Sequence, residues 1–156
     1  MKPVYKVLAY LVAVEVAVQA MAVVFADAGL KKWVEQGGVL DKAVIESDAS
    51  AFPEIVGFVI HGINGTMVIP LIAVLLLISS FFTKVPGAVK AAGLVLLLVV
   101  VQVSLGVVAH DIPALGALHG LNALLLFGAA VYAASRGRGT GVSARVRPES
   151  RIGTVG

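Results

Sequence analysis

Four long apolar runs, residues 4–25, 55–82, 88–109 and 115–134, constrain this chain more than anything else in it. Each has about the 20 residues that a helix needs to cross a hydrocarbon core of about 30 Å. Separate open strands would leave their backbone groups unpaired in lipid, so the runs are read as helices. Composition agrees: 59% of residues are hydrophobic and 13% charged, where soluble domains have about half and a quarter. The expected fold class is an all-α membrane protein, a four-transmembrane-helix up-down bundle. Residues 1–135 form its transmembrane domain, with an outer loop at 26–54, and residues 136–156 form a basic cytoplasmic tail. The first run also has features of a secretory signal, with Lys2 and Lys6 at its start and small residues at Ala20 and Ala26. Its length favours a retained helix.

Lysine and arginine set the expected orientation. Lys2 and Lys6 flank the first run, Lys84 and Lys90 flank the turn at Pro86-Gly87, and Arg136, Arg138, Arg145, Arg147 and Arg151 follow the last run. Segment 26–54 carries only Lys31, Lys32 and Lys42 against six carboxylates, so the count is nine basic residues against three. Positive-inside bias then puts both termini in the cytoplasm of a cell with this protein in its inner (plasma) membrane. The net charge of +3 sits mostly in the tail and is read as topology, not nucleic-acid binding. The outer segment contains two short amphipathic stretches, Leu30/Trp33/Val34 and Val39/Leu40/Ala43/Val44, broken at Gly37-Gly38. Trp33 is the kind of residue that rests at a membrane interface. The Gly-, Ser- and Arg-rich tail has no apolar periodicity. Its expected partners are anionic lipid or a larger membrane-protein complex.

A repeat relates the two halves. His61-Gly62-Ile63-Asn64-Gly65 in the second run returns as His119-Gly120-Leu121-Asn122-Ala123 in the fourth, and Val18-Gln19 in the first is echoed by Val101-Gln102 in the third. Two helical hairpins of the same sense, a tandem two-helix pseudo-repeat, would be related by an axis along the membrane normal. At 1.5 Å of rise per residue, His61 stands about 9 Å and His119 about 6 Å into their helices from the outer side. In an up-down bundle these two helices are diagonal, so both imidazoles can point at one central object. Gly62, Gly65, Gly120 and Ala123 leave room there for a flat ligand or a close helix partner.

Two readings of these polar residues stand side by side. In the structural one, Asn64, Asn122, Gln19 and Gln102 hydrogen-bond between helices and knit the bundle together. In the functional one, His61 and His119 are the metal ligands of a haem iron, each oriented through its other ring nitrogen by a Gln or Asn oxygen or a backbone carbonyl. With no cysteine in the chain, a thiolate site or a cysteine nucleophile is excluded. Glu15, at mid-membrane one turn before Gln19, is expected to face the bundle interior as a hydrogen-bonding partner or a proton relay. His110-Asp111, before Pro113, reads as a solvated helix end. Pro70 is expected to kink the second helix and free the carbonyl of Thr66.

The run Val101-Gln102-Val103-Ser104-Leu105-Gly106, then Pro113, then Leu118-His119-Gly120-Leu121-Asn122-Ala123-Leu124 resembles one four-helix half of the haem A synthase family. It resembles more closely a group of short, uncharacterised bacterial four-helix membrane proteins that share the Leu-His-x-x-Asn-x-Leu ending. The resemblance covers residues 55–134. It implies haem ligation by a histidine of the second helix and one of the fourth, here His61 and His119. The synthase pattern has Glu three residues before the first of these and Arg after it, where this chain has Phe58 and Gly62. Ligation is therefore carried over and synthase chemistry is not. The functional expectation is a small membrane protein holding haem b between two histidines for electron transfer or haem handling. The alternative is a non-enzymatic accessory subunit of a larger membrane or envelope complex. A small transporter or lipid-handling protein is a third reading, and the sequence does not decide whether the protein is an enzyme.

Overall fold

The computed structural model describes residues 1–47 and 50–136, and among them all regular structure is helical. In chain order these are α1 (Lys2–Glu35), α2 (Lys42–Glu46), a single 3-10 turn (Pro53–Ile55), α3 (Val56–Ile63), a π-turn (Asn64–Val68), α4 (Ile69–Phe81), α5 (Ala88–Val108) and α6 (Pro113–Arg136). The segment from Pro53 to Phe81 is one continuous span. It joins α1, α5 and α6 as the four helices long and apolar enough to cross a membrane. Apart from Arg136, the basic tail lies outside the described residues.

Large apolar side chains cover the outside of the bundle as well as its core. Met21 and Leu124 are each 71% exposed, which water would penalise by about 25 cal/mol for every Å² of apolar surface and lipid does not. A helix that is apolar all round belongs in a membrane. The chain is accordingly a multi-pass membrane protein by length and composition.

The interior is built of small residues where the helices meet most closely. Ala9, Ala13, Ala73, Ala92, Ala130 and Ala133 are buried together with Tyr5, Leu76, Val95 and Leu126. Alanine lets helix backbones approach, which is where packing energy comes from when lipid removes the hydrophobic drive. The second span and α6 each pack against both α1 and α5. Tyr5 Oη donates to the Ala88 carbonyl at 3.4 Å, and Arg136 donates to the Pro86 carbonyl at 3.5 Å while lying over the Tyr132 ring. These contacts close the end of the bundle that holds the Lys84–Gly87 turn. The opposite half contains the histidines.

α1 runs ten residues past the expected end at Phe25, so the first part of the expected outer loop is helix. Hydropathy falls after Phe25, but nothing from Ala26 to Glu35 breaks a helix, and Lys31 pairs with Asp27 one turn back at 2.7 Å. The stop comes from glycine. Gly37 adopts φ 97°, Gly38 N–H donates to the Trp33 carbonyl and Gly37 N–H to the Val34 carbonyl, both at 3.0 Å. This is the paired closure that a left-handed residue just beyond a helix allows. Trp33, expected on a loop, therefore sits in the last turn of α1, its ring 5.9 Å from that of Phe52. Asp41 caps α2 by accepting from Val44 N–H at 2.9 Å.

The kink expected at Pro70 takes the form of a π-turn just ahead of it. Proline has no N–H for the carbonyl four residues back, and its ring crowds that carbonyl. The helix widens instead, and Ile69 N–H reaches back five residues to Asn64 O. Thr66 Oγ1 turns to the Gly62 carbonyl at 2.7 Å. The insertion rotates everything that follows His61 relative to a regular helix.

Candidate ligand site between the histidines

His61, on α3, and His119, on α6, face each other with ring centroids 6.0 Å apart and planes inclined by 63°. Beside them lies a mostly apolar cavity of about 410 Å³. His61, His119, Gln19, Gln102, Gly62 and Gly65 border it, together with Thr66, Gly106, His110 and the aliphatic side chains of Val16, Ile69, Val99, Val103, Val107 and Leu126. A space of that size with a few converging polar groups is the usual form of a small-molecule site.

On the α5–α6 side the histidine, glutamine and asparagine side chains are linked to one another. Asn122 Nδ2 donates to the Leu98 carbonyl at 3.0 Å and to Gln102 Oε1 at 2.7 Å. This fixes the Gln102 amide with its nitrogen toward His119, and Gln102 Nε2 lies 3.0 Å from His119 Nε2. The other ring nitrogen, Nδ1, lies 3.0 Å from the Gln102 backbone carbonyl. A carbonyl only accepts, so Nδ1 carries the proton and Nε2 carries the lone pair. His119 is thus held at both ring nitrogens by a single residue of α5. Gly106, one turn beyond Gln102, makes room for it, since a Cβ at that position would stand 3.0 Å from His119 Cε1.

The α1–α3 side has the same residue types and a different arrangement. Asn64, at the start of the π-turn, donates to Glu15 Oε2 at 2.6 Å and not to the glutamine of its own half. Gln19 is 8% exposed, and neither its Nε2 nor its Oε1 has a hydrogen-bond partner. The His61 ring is turned to the backbone of Gln19, as His119 is to that of Gln102, with its Nδ1 short of full hydrogen-bond geometry. Gly65 leaves space for the Gln19 amide, whose Oε1 would lie 3.4 Å from a Cβ at position 65. An unpaired amide costs about 1–3 kcal/mol in a protein interior, and the Gln19 amide faces a cavity where a partner has room.

Of the residues singled out from sequence, Gly120, Ala123, Asn64 and Asn122 do not border the cavity. Gly120 follows His119 by one position, about 100° around the helix, and a Cβ on it would meet nothing within 4 Å. The ring of His119 leans onto α5, and Leu126 lines the wall below it in place of Ala123. The two asparagines act behind the site, through Gln102 and through Glu15. A Cβ on Gly62 would likewise meet nothing within 4 Å, so neither glycine that follows a histidine is a point of close helix packing. Glu15 is half-buried with Asn64 as its partner. Gly106 and Thr66 were not singled out as site residues. Position 106 is four residues after Gln102 and so shares its face, a signal the sequence does carry.

Among the described residues no three or more His, Cys, Asp or Glu side chains gather into a group that would hold a metal ion by itself. Two axial nitrogens suffice only for a metal already held by a macrocycle. Comparison with known protein families, with characterised proteins and with solved structures finds no match to this chain.

Proposed function

We propose that this protein is a small integral protein of the inner (plasma) membrane that holds a b-type haem between His61 and His119, for electron transfer or haem handling. The observation that carries the reading is the pair of imidazoles 6.0 Å apart at a cavity. Imidazoles are among the side chains that hold a haem, and His61 and His119 are the two that would hold it here. His119 has Nδ1 anchored on a backbone carbonyl, the orienting contact that ligating histidines usually make, while Nε2, the atom that would ligate, is engaged by the Gln102 amide at 3.0 Å. The nearby Gln102 amide would give up one neutral hydrogen bond to an iron there. Without any cysteine the macrocycle would be bound non-covalently. A bound haem would supply one-electron exchange, and His61, His119 and the aliphatic side chains of the cavity would hold it.

The same reading includes the up-down order of the four spans, with both termini in the cytoplasm, and the tandem hairpin repeat. Supporting contacts run in opposite senses along α1 and the second span: Gly29 meets Glu54, Ala22 meets Gly57, and Glu15 meets Asn64. The resemblance to half of the haem A synthase family is carried by the same His119 segment and implies ligation by the second and fourth helices. The test is an absorption spectrum of the detergent-purified protein before and after haem reconstitution. A Soret band lost in His119→Ala is the expected result. No band in the wild-type protein after reconstitution would overturn the reading and leave the histidines as bundle packing, as in an accessory subunit whose tail contacts a larger complex.

A further inference from the structure

Gln19 borders the cavity, is 8% exposed, and has neither amide atom in a hydrogen bond. The polar side chains around it are spent elsewhere: Asn64 on Glu15, Thr66 on the Gly62 carbonyl, and Gln102 on Asn122 and His119. Gly65 keeps one side of the amide clear of any side chain. Water is a poor partner here. A volume of about 410 Å³ is more than ten times the roughly 30 Å³ that a water takes up in the liquid, and a held water needs several polar partners. The α5 wall offers none between its glutamine and its outer end, because Val99, Val103 and Val107 recur four residues apart on one face of the helix. That stripe runs for about 12 Å. The border of the cavity carries no Lys, Arg, Asp or Glu, so an ionised group would find no opposite charge on it.

We infer that, in the chain without haem, this cavity takes a fatty-chain molecule with an uncharged carboxyl-type head, a protonated fatty acid or a fatty amide, whose head pairs with the Gln19 amide. The inference goes beyond the haem reading and does not rest on it, and the two occupants exclude one another because they use the same space. A primary amide presents a donor and an acceptor on one carbon. A carboxyl or carboxamide head presents the same pair in mirrored order, so its carbonyl accepts from Gln19 Nε2 while its O–H or N–H donates to Gln19 Oε1. An ester satisfies the donor alone and leaves Oε1 bare. A carboxyl in such a place stays protonated, since desolvation disfavours the charged form. The chain lies along Val99, Val103 and Val107. Lipid is as apolar as that stripe, so the chain gains little by moving in, and the two hydrogen bonds of the head set the selectivity.

Dodecanamide, dodecanoic acid and methyl dodecanoate are the probes, titrated into haem-free protein in one detergent and followed by equilibrium dialysis and thermal unfolding. All three share a chain, so differences among them read the head. The amide or the acid is expected to bind and to raise the unfolding temperature, with the ester weaker by about threefold to tenfold, the effect of one net hydrogen bond. Whichever of the first two binds more tightly identifies the source of the head. In Gln19→Leu the affinity for it should fall about tenfold to a hundredfold, as two net hydrogen bonds are lost. The unliganded variant should unfold no earlier than wild type, because the amide gives up no partner within the chain. Equal affinities for all three probes, or no binding of any, would overturn the inference, and so would unchanged affinity in Gln19→Leu or early unfolding of that variant without ligand. A Soret band on reconstitution together with no head preference would sink this inference alone. Head-selective binding without a Soret band would sink the haem reading alone. The wild-type series needs no variant to fold.

Discussion

Gly106 lies directly against His119: a side chain added at position 106 would meet the imidazole before it met anything else, with Cε1 at 3.0 Å and Nδ1 at 3.2 Å. The glycine therefore sets how far the ring can lean onto α5 and reach the Gln102 carbonyl. Gly106→Val should push the ring off both hydrogen bonds and destabilise the folded protein by about 1–3 kcal/mol, the usual cost of overpacking a filled interior. Gly116→Ala is the control, since its Cβ would first meet Ala109 at an ordinary 4.0 Å. Thermal unfolding in one detergent, with both variants side by side, checks this, and equal losses would show that Gly106 does not seat the ring.

Asn122 secures two acceptors at once, the Leu98 carbonyl and Gln102 Oε1. Asn122→Leu should leave Gln102 free to turn and cost about 1–2 kcal/mol, near the upper end for hydrogen bonds between membrane helices. The companion Gln102→Leu variant should add little on top. A double-mutant cycle with fully additive losses would mean that the two residues do not act as a unit.

Glu15 accepts from Asn64 at 2.6 Å. Since Glu15→Gln keeps an acceptor oxygen, its stability should stay within about 0.5 kcal/mol of wild type, while Glu15→Leu strands the Asn64 amide and should cost about 1 kcal/mol or more. Denaturant unfolding of the pair reads the difference. A large loss in Glu15→Gln would mean that the carboxylate charge itself is needed, favouring the proton-relay reading.

The expected orientation is open to a direct check. A reporter joined after Arg151 should behave as cytoplasmic and one inserted between Gly37 and Gly38 as external. The reverse pattern would invert the topology, against the nine-to-three distribution of basic residues.

Gly37, at φ 97°, holds the left-handed position that closes α1. Gly37→Ala should cost about 1 kcal/mol through the Cβ penalty there and fray the turn that carries Trp33. The Trp33 fluorescence maximum should shift to the red by the solvent exposure that follows, and an unchanged spectrum and stability would argue against the closure described.

Much of this architecture was legible because lipid leaves few alternatives: a run of about 20 apolar residues has one economical conformation there. Hydropathy marks where a helix leaves the hydrocarbon, not where it ends, so it stopped α1 at Phe25 while the helix continues to the glycines after Glu35. Pro70 announced a distortion, but its translation into a π-turn at Asn64 depends on which carbonyls the neighbouring side chains can absorb, and that is a tertiary matter. The repeat brought His61, His119, Gln19 and Gln102 to notice, and they do border one cavity. What pattern alone could not reveal is that Asn122 would join Gln102 while Asn64 turns to Glu15, leaving the Gln19 amide without a partner.

The open half of the site also bears on stability. Gln19 stands 13 residues from Lys6 and eight from Asp27 along α1, about 20 Å and about 12 Å from these charged side chains, and it borders the cavity. Any molecule that satisfies its amide binds the folded chain and not the unfolded one, and by mass action at 100 times its dissociation constant adds about 2.7 kcal/mol to the fold.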